Sequence, residues 1–135
     1  MPALLLSLKP KFASAIYSGI KRVEFRRVSP RCEVPIEAFI YETMPVGLVT
    51  GMVRVKEIVV APEEALFALA KDDPMLEDYR RYLAGAHNPC GLVLGGIERF
   101  ASPRALAGLI GRGARAPQSW CYVNGPNPQQ SFRPS

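Results

Sequence analysis

A chain of 135 residues with 48% hydrophobic content is the size of one ordinary domain and carries enough apolar side chain for a single core. Its 17 basic against 12 acidic residues leave a net charge of +5, which favours an anionic partner, while the basic residues occur at most in pairs and form no polybasic arm. Three cysteines without a C-x-x-C pair argue against a disulfide framework or a structural zinc site, and no segment approaches the roughly 18 uninterrupted apolar residues of a membrane span.

In chain order, Leu4, Leu5, Leu6 and Leu8 form an apolar run that ends at Pro10, so a buried strand is predicted to run into a helix start. The opening Met-Pro-Ala-Leu-Leu-Leu-Ser-Leu is too short for a secretory signal, so a reducing, cytoplasmic location is expected. From Pro10, the residues Phe12, Ala15 and Ile16 recur at helical spacing, and Gly19 supplies a left-handed stop. Val23 and Phe25 then alternate with Arg22, Glu24 and Arg26, the two-residue period of a strand with one face in the core and one polar. Glu24 and Arg26 therefore share a face. Lys21 at the bend and Lys9 at the helix start approach that face when helix and strand pack together, and the free N–H groups of the helix start favour an anion there.

Residues 28–37 read as an irregular connection, 38–43 as a strand, and 47–60 as one or two strands rich in β-branched residues. Pro62 with Glu63 and Glu64 opens a helix, and a second helix is predicted over 74–84, with Leu76, Tyr79 and Leu83 as its apolar stripe and Gly85 as its stop. Residues 91–97 return to strand, with Gly95 and Gly96 at candidate bulges. Ser102-Pro103 predicts a short helix over 104–110, Gly111 to Arg115 a flexible basic loop, and Trp120 to Val123 a closing strand. Residues 124–135 read as a flexible tail, which leaves 1–123 as the domain. Strands interleaved with short helices predict an α+β fold, a small mixed β-barrel surrounded by short helices.

Lys21 and Glu24, read alone, are an ordinary surface ion pair worth under about 1 kcal/mol. A lysine held beside a carboxylate and an arginine can also position an anionic ligand, and desolvation can lower its pKa towards base chemistry. Arg26 is the stronger phosphate candidate because its planar fork grips two oxygens; Lys9 is a point charge. Tyr41 and Trp120 are stacking candidates within apolar strand patterns, and Ser119 with Gln118 can read a base edge or cap a turn. His87 has no partner at ligand spacing, so no metal and no cofactor are expected.

Ser7-Leu8-Lys9-Pro10, the spacing Gly19-x-Lys21-x-x-Glu24-x-Arg26, the strand Phe39 to Thr43 followed by Pro45, and the ending Pro117-Gln118-Ser119-Trp120-x-Tyr122 together resemble the ASCH domain family. The resemblance spans most of residues 3–123. It implies a PUA-like barrel with a cleft, and family members that mainly bind RNA or other nucleic acid, some of them hydrolytic. On this basis Lys9, Lys21 and Arg26 are expected to hold phosphate while Glu24 and a nearby aromatic select a nucleotide, with RNA or another single-stranded nucleic acid as partner. A second reading is a small hydrolase acting on a modified nucleoside or an RNA phosphodiester, with Lys21 and Glu24 as its catalytic residues. Some members resemble an N4-acetylcytidine amidohydrolase that uses a lysine, a threonine and a glutamate. Lys21 matches that lysine, Glu24 stands in the threonine's place, and the third residue is open among Glu64, Asp73 and Glu77. A third reading makes the helices at 62–85 a protein-docking surface.

Overall fold

The computed structural model describes residues 2–113 and 115–124, so the expected tail lies, apart from the backbone of Asn124, outside the described residues. Strand β1 (Pro2–Leu8) leads into helix α1 (Pro10–Tyr17), followed by β2 (Val23–Arg26), β3 (Ile36–Glu42) and β4 (Leu48–Val60). Helices α2 (Glu63–Ala68) and α3 (Leu76–Leu83), the long strand β5 (Cys90–Arg104), helix α4 (Ala107–Ile110) and β6 (Trp120–Asn124) complete the chain.

The run of leucines in β1 does not alternate with polar residues because both faces of the strand are covered. Leu4, Leu6 and Leu8 pack with Ala13 and Ile16 of α1 and with β3, β4 and β5. Ala3 and Leu5 pack on the other side with Phe39, Val49, Met52 and Phe100. A third cluster joins Val23 and Phe25 of β2 to Leu66 and Phe67 of α2 and to Tyr79 and Leu83 of α3.

The six strands form one sheet in the order β2-β5-β4-β3-β1-β6. Among these strands only β1 and β3 run parallel, Leu6 opposite Ile40; the other neighbours are antiparallel, which makes the sheet mixed. It curls into a half-barrel whose edge strands are linked by side chains rather than by a ladder. Arg26 of β2 donates to the Ser119 carbonyl at 3.2 Å, and the Trp120 indole of β6 donates to the Val28 carbonyl at 3.1 Å. The curl needs bulges. Val53 lies opposite Ile97 and Arg54 opposite Gly95, which leaves Gly96, at φ +31°, as the unpaired residue. Gly51 is required for a different reason: a Cβ there would stand 2.6 Å from the Tyr17 hydroxyl and closer still to the Glu98 carbonyl. Tyr17 uses the gap to bond Thr50 at 2.6 Å, which ties the end of α1 to β4.

The helix expected over 104–110 is shortened to α4. From Gly51 opposite Arg99 to Val49 opposite Arg104, β4 advances two residues while β5 advances five, so Ser102-Pro103 sits in a bulged stretch of strand. A proline is tolerated there because no ladder hydrogen bond is asked of it. Buried Phe100 and the pairing of Arg104 hold this segment extended against its local helix-start signal. The stretch expected as one or two strands forms a single strand, Leu48–Val60, and the helices at 63–68 and 76–83 fall inside their expected ranges.

Candidate functional site

The turn after α1 positions the first site residue. Gly19 takes φ +83°, and the Lys21 amide donates to the Ala15 carbonyl at 3.0 Å, which turns the lysine back beneath the helix. Its side chain is 1% exposed. The Nζ donates to the Val23 carbonyl at 2.9 Å, pairs with Glu24 at 3.1 Å and lies 3.7 Å from the centre of the Tyr79 ring. The ammonium thus has two oxygens and one aromatic face, with Phe12 and Phe25 flanking it at 5.7 and 5.6 Å.

Sequence periodicity assigns one polar face to β2, and a polar face is ordinarily wet. All four residues of β2 are buried instead. Glu24 and Arg26 share that face as expected, but it looks inward. Glu24 uses one oxygen for Lys21 and the other for Arg26. Arg26 spends the rest of its fork on backbone and hydroxyl: Nη1 donates to the Ser119 carbonyl and to its Oγ at 3.1 Å, and Nη2 donates to the Ser7 carbonyl at 3.1 Å. Its Nε is buried and has no hydrogen-bond partner among the described residues.

A buried carboxylate between two cations is a high-stakes arrangement, since any one of the three left alone would carry a penalty of several kcal/mol. Burial acts to raise the Glu24 pKa, but Arg26 and then Lys21 outweigh it and hold the carboxyl below its ordinary value. For Lys21, burial is the largest influence and lowers the pKa, while Glu24 opposes it. Behind the lysine, the Tyr79 hydroxyl donates to Asp73 at 3.0 Å, and the other oxygen of Asp73 accepts the Met75 amide at 2.8 Å. Burial and then the bond to Asp73 push the Tyr79 phenol up, so it stays a neutral donor.

This trio forms the floor of a cleft of about 360 Å³. The rim and walls come from Lys9, Lys11 and Phe12 of the α1 start, Asp78, Tyr79 and Tyr82 of α3, the end of β1, Thr43 and Gln118. Four cationic side chains, Lys9, Lys11, Lys21 and Arg26, face two acids, Glu24 and Asp78. Lys11 reaches Asp78 at 3.8 Å, which links α1 to α3. Lys9 is exposed, and α1 has no side-chain cap, so its N-terminal partial charge adds to the cationic excess.

The structure therefore brings Lys9, Lys21, Glu24 and Arg26 to one depression. Ser119 stands one layer behind, as an acceptor for Arg26. Tyr41 packs with the Phe39 and Val49 cluster and does not line the cleft. Trp120 lies on β6 outside the lining, with its N–H committed to Val28. None of the three candidates for the third amidohydrolase residue lines the cleft. Glu64 pairs with Arg80 at 2.8 Å and Glu77 with the same arginine at 4.0 Å, both on exposed helix faces, while Asp73 sits behind Tyr79. Sequence reasoning overlooks Lys11, Thr43 and Tyr82 as wall residues, and it files Tyr79 under the apolar stripe of its helix. An acid at Asp73 within reach of that phenol is the one signal that could have separated Tyr79 from a plain core residue.

Among the described residues no three His, Cys, Asp or Glu side chains come together in a way that could hold a metal ion, and Cys32, Cys90 and Cys121 are unpaired. No described helix is long and apolar enough to cross a membrane.

Residues 6–98 match the family model described as the ASCH domain. The chain is 35% identical over 92 residues to an ASCH domain-containing ribonuclease of Zymomonas mobilis, a match that covers 67% of this chain and 62% of that protein. The crystal structure of ASCH from Zymomonas mobilis superposes with a TM-score of 0.80 at 31% identity, covering 90% of this chain and 87% of the other. A tyrosine-to-phenylalanine mutant of that protein gives the same TM-score at 30% identity, with 90% of both chains covered.

Proposed function

The chain belongs to the ASCH domain family, with its PUA-like fold, and from that membership and the shape of the cleft we propose that it binds single-stranded RNA. The observation that carries the reading is the convergence of Lys9, Lys21, Glu24 and Arg26 on one depression with more cations than acids. Lys9 and Lys11 at the rim attract and hold phosphate. Glu24 is the clamp that keeps Lys21 and Arg26 in place; its remaining lone pairs can accept from the amino or imino edge of a base. A cleft of this size suits a single splayed nucleotide better than a duplex.

The ribonuclease name of the Zymomonas relative favours a second reading, in which the bound strand is also cut. The extra negative charge on the pentacoordinate phosphorus would be met by Lys21 and Arg26. Glu24, with its pKa held down by both cations, is a poor proton acceptor and suits orientation better than base work. Deacetylation of N4-acetylcytidine has less support, because this clamped carboxylate stands where that reaction needs a hydroxyl.

Titration of a labelled single-stranded oligoribonucleotide at several salt concentrations tests the first reading. Binding should weaken steeply with salt, and Lys9→Ala with Lys11→Ala should flatten the log–log slope by about 0.7 for each phosphate no longer neutralised. A salt-independent affinity, untouched by both changes, would remove the cleft as the RNA site. Gel analysis of the same mixtures tests the second reading: shortened products that vanish in Lys21→Met are expected if the strand is cut, and intact RNA after prolonged incubation refutes cutting.

A further inference from the structure

Two residues beyond the cleft wall, β6 carries an aromatic pair that the cleft does not use. The Trp120 and Tyr122 rings meet edge to face, with centres 5.1 Å apart at 77°. Their polar ends are tied down on the same neighbouring segment. Trp120 donates to the Val28 carbonyl, while the Tyr122 hydroxyl donates to the Arg31 carbonyl at 2.9 Å and accepts the Arg31 amide at 3.0 Å. The pair is thus fixed and still partly open: Tyr122 is 45% exposed and Val28, which accepts from the indole, 63%, while Trp120 is half-buried with part of its ring against the core. Arg31 is exposed too, and its guanidinium forms no ion pair among the described residues.

We propose that Trp120, Tyr122, Val28 and Arg31 form a second RNA subsite that stacks the base next to the one held in the cleft. The occupant follows from continuity and charge. Gln118 lines the cleft, Ser119 accepts from the cleft's Arg26, and Trp120 and Tyr122 follow at alternate positions of the strand, about 7 Å apart. A strand leaving the cleft along β6 therefore meets an aromatic platform and then a free arginine. Rings already locked in position lose little entropy when a base stacks on them, and stacking is tolerant of base identity. The substrate class that results is an oligonucleotide of at least two or three residues, not a free nucleoside. This inference rests on the RNA-binding reading of the cleft.

Trp120 is the chain's single tryptophan and reports directly on the subsite. Its fluorescence is followed while a hexaribonucleotide, and separately each of the four nucleoside 5′-monophosphates, is titrated into wild type, Tyr122→Ala and Arg31→Ala. The hexamer should quench Trp120 and bind at least tenfold more tightly than any monophosphate. Tyr122→Ala should cut hexamer affinity about tenfold and leave monophosphate affinity, read by calorimetry, unchanged. Arg31→Ala, an exposed change that leaves the Tyr122 tie to backbone intact, should lower hexamer affinity and its salt slope. Should both variants bind hexamer and monophosphate as wild type does, the subsite is refuted while the cleft stands. Should wild type bind neither, both fall together. A concentration-dependent rise in mass that Tyr122→Ala abolishes would assign the patch to self-association and overturn the proposal.

Discussion

Exchanging Glu24 for glutamine is expected to cost about 3–5 kcal/mol of folding stability, the usual penalty for removing one partner from a buried ionic group. The amide keeps the shape but leaves Lys21 and Arg26 as two buried cations facing each other across a neutral side chain. The pH dependence gives the loss a signature. Glu24 has its folded pKa below the ordinary 4.5, so its contribution is fully present above the unfolded value and disappears as the pH falls through the folded one. Wild type should lose stability on acidification below about pH 4.5, and the variant should have a shallower acid limb. Lys21 adds a second limb of its own. Its folded pKa lies below the ordinary 10.5, so the unfolded chain binds more protons in that window and stability rises with pH across it. Without Glu24 to oppose burial, this window widens downwards, and the damage should lessen as the pH is raised. Urea denaturation of both proteins from pH 3 to pH 10 measures all of this. A variant within about 0.5 kcal/mol of wild type, with an unchanged acid limb, would mean that the trio is solvated and that its members act independently.

The leucine run, the Pro10 start, the Gly19 stop and the bulge at Gly96 were legible because each is a local rule: burial on both faces, a fixed φ, a left-handed turn, an extra residue in one strand. That Lys9, Lys21 and Arg26 would meet Glu24 was legible from strand period and helix-strand packing, and the resemblance turned that meeting into a site rather than a surface ion pair. Periodicity puts Glu24 and Arg26 on one face but says nothing of what covers that face. The covering comes from α3 and from residues 117–119, about 50 and 90 positions further along the chain. The same long range hides Tyr79, whose ring serves the core with one edge and Lys21 with its face. The helix expected over 104–110 is cut back to Ala107–Ile110 for the opposite reason: a correct local signal at Ser102-Pro103 lost to strand pairing that a single segment cannot display.

Arg26→Lys keeps the charge and is still expected to destabilise the fold by about 3 kcal/mol and to weaken oligoribonucleotide binding at least tenfold. The guanidinium bonds in three directions at once, to Glu24, to Ser7 and to Ser119. An ammonium has no planar fork, so it can satisfy the carboxylate or the seam between β2 and β6, not both. The seam is the larger loss, because no ladder joins those edge strands and Ser119 leads directly into Trp120. A loosened seam lets β6 move, which disturbs the cleft wall at Gln118 and the aromatic platform together. Lys9→Ala, by contrast, should change affinity and salt slope with stability unaltered, because Lys9 is exposed. Comparing the two variants by urea denaturation and RNA titration separates a point charge at the rim from a fork that builds the site. If Arg26→Lys binds RNA as wild type does and unfolds at the same urea concentration, Arg26 acts by charge alone, and neither the seam nor the cleft depends on its geometry.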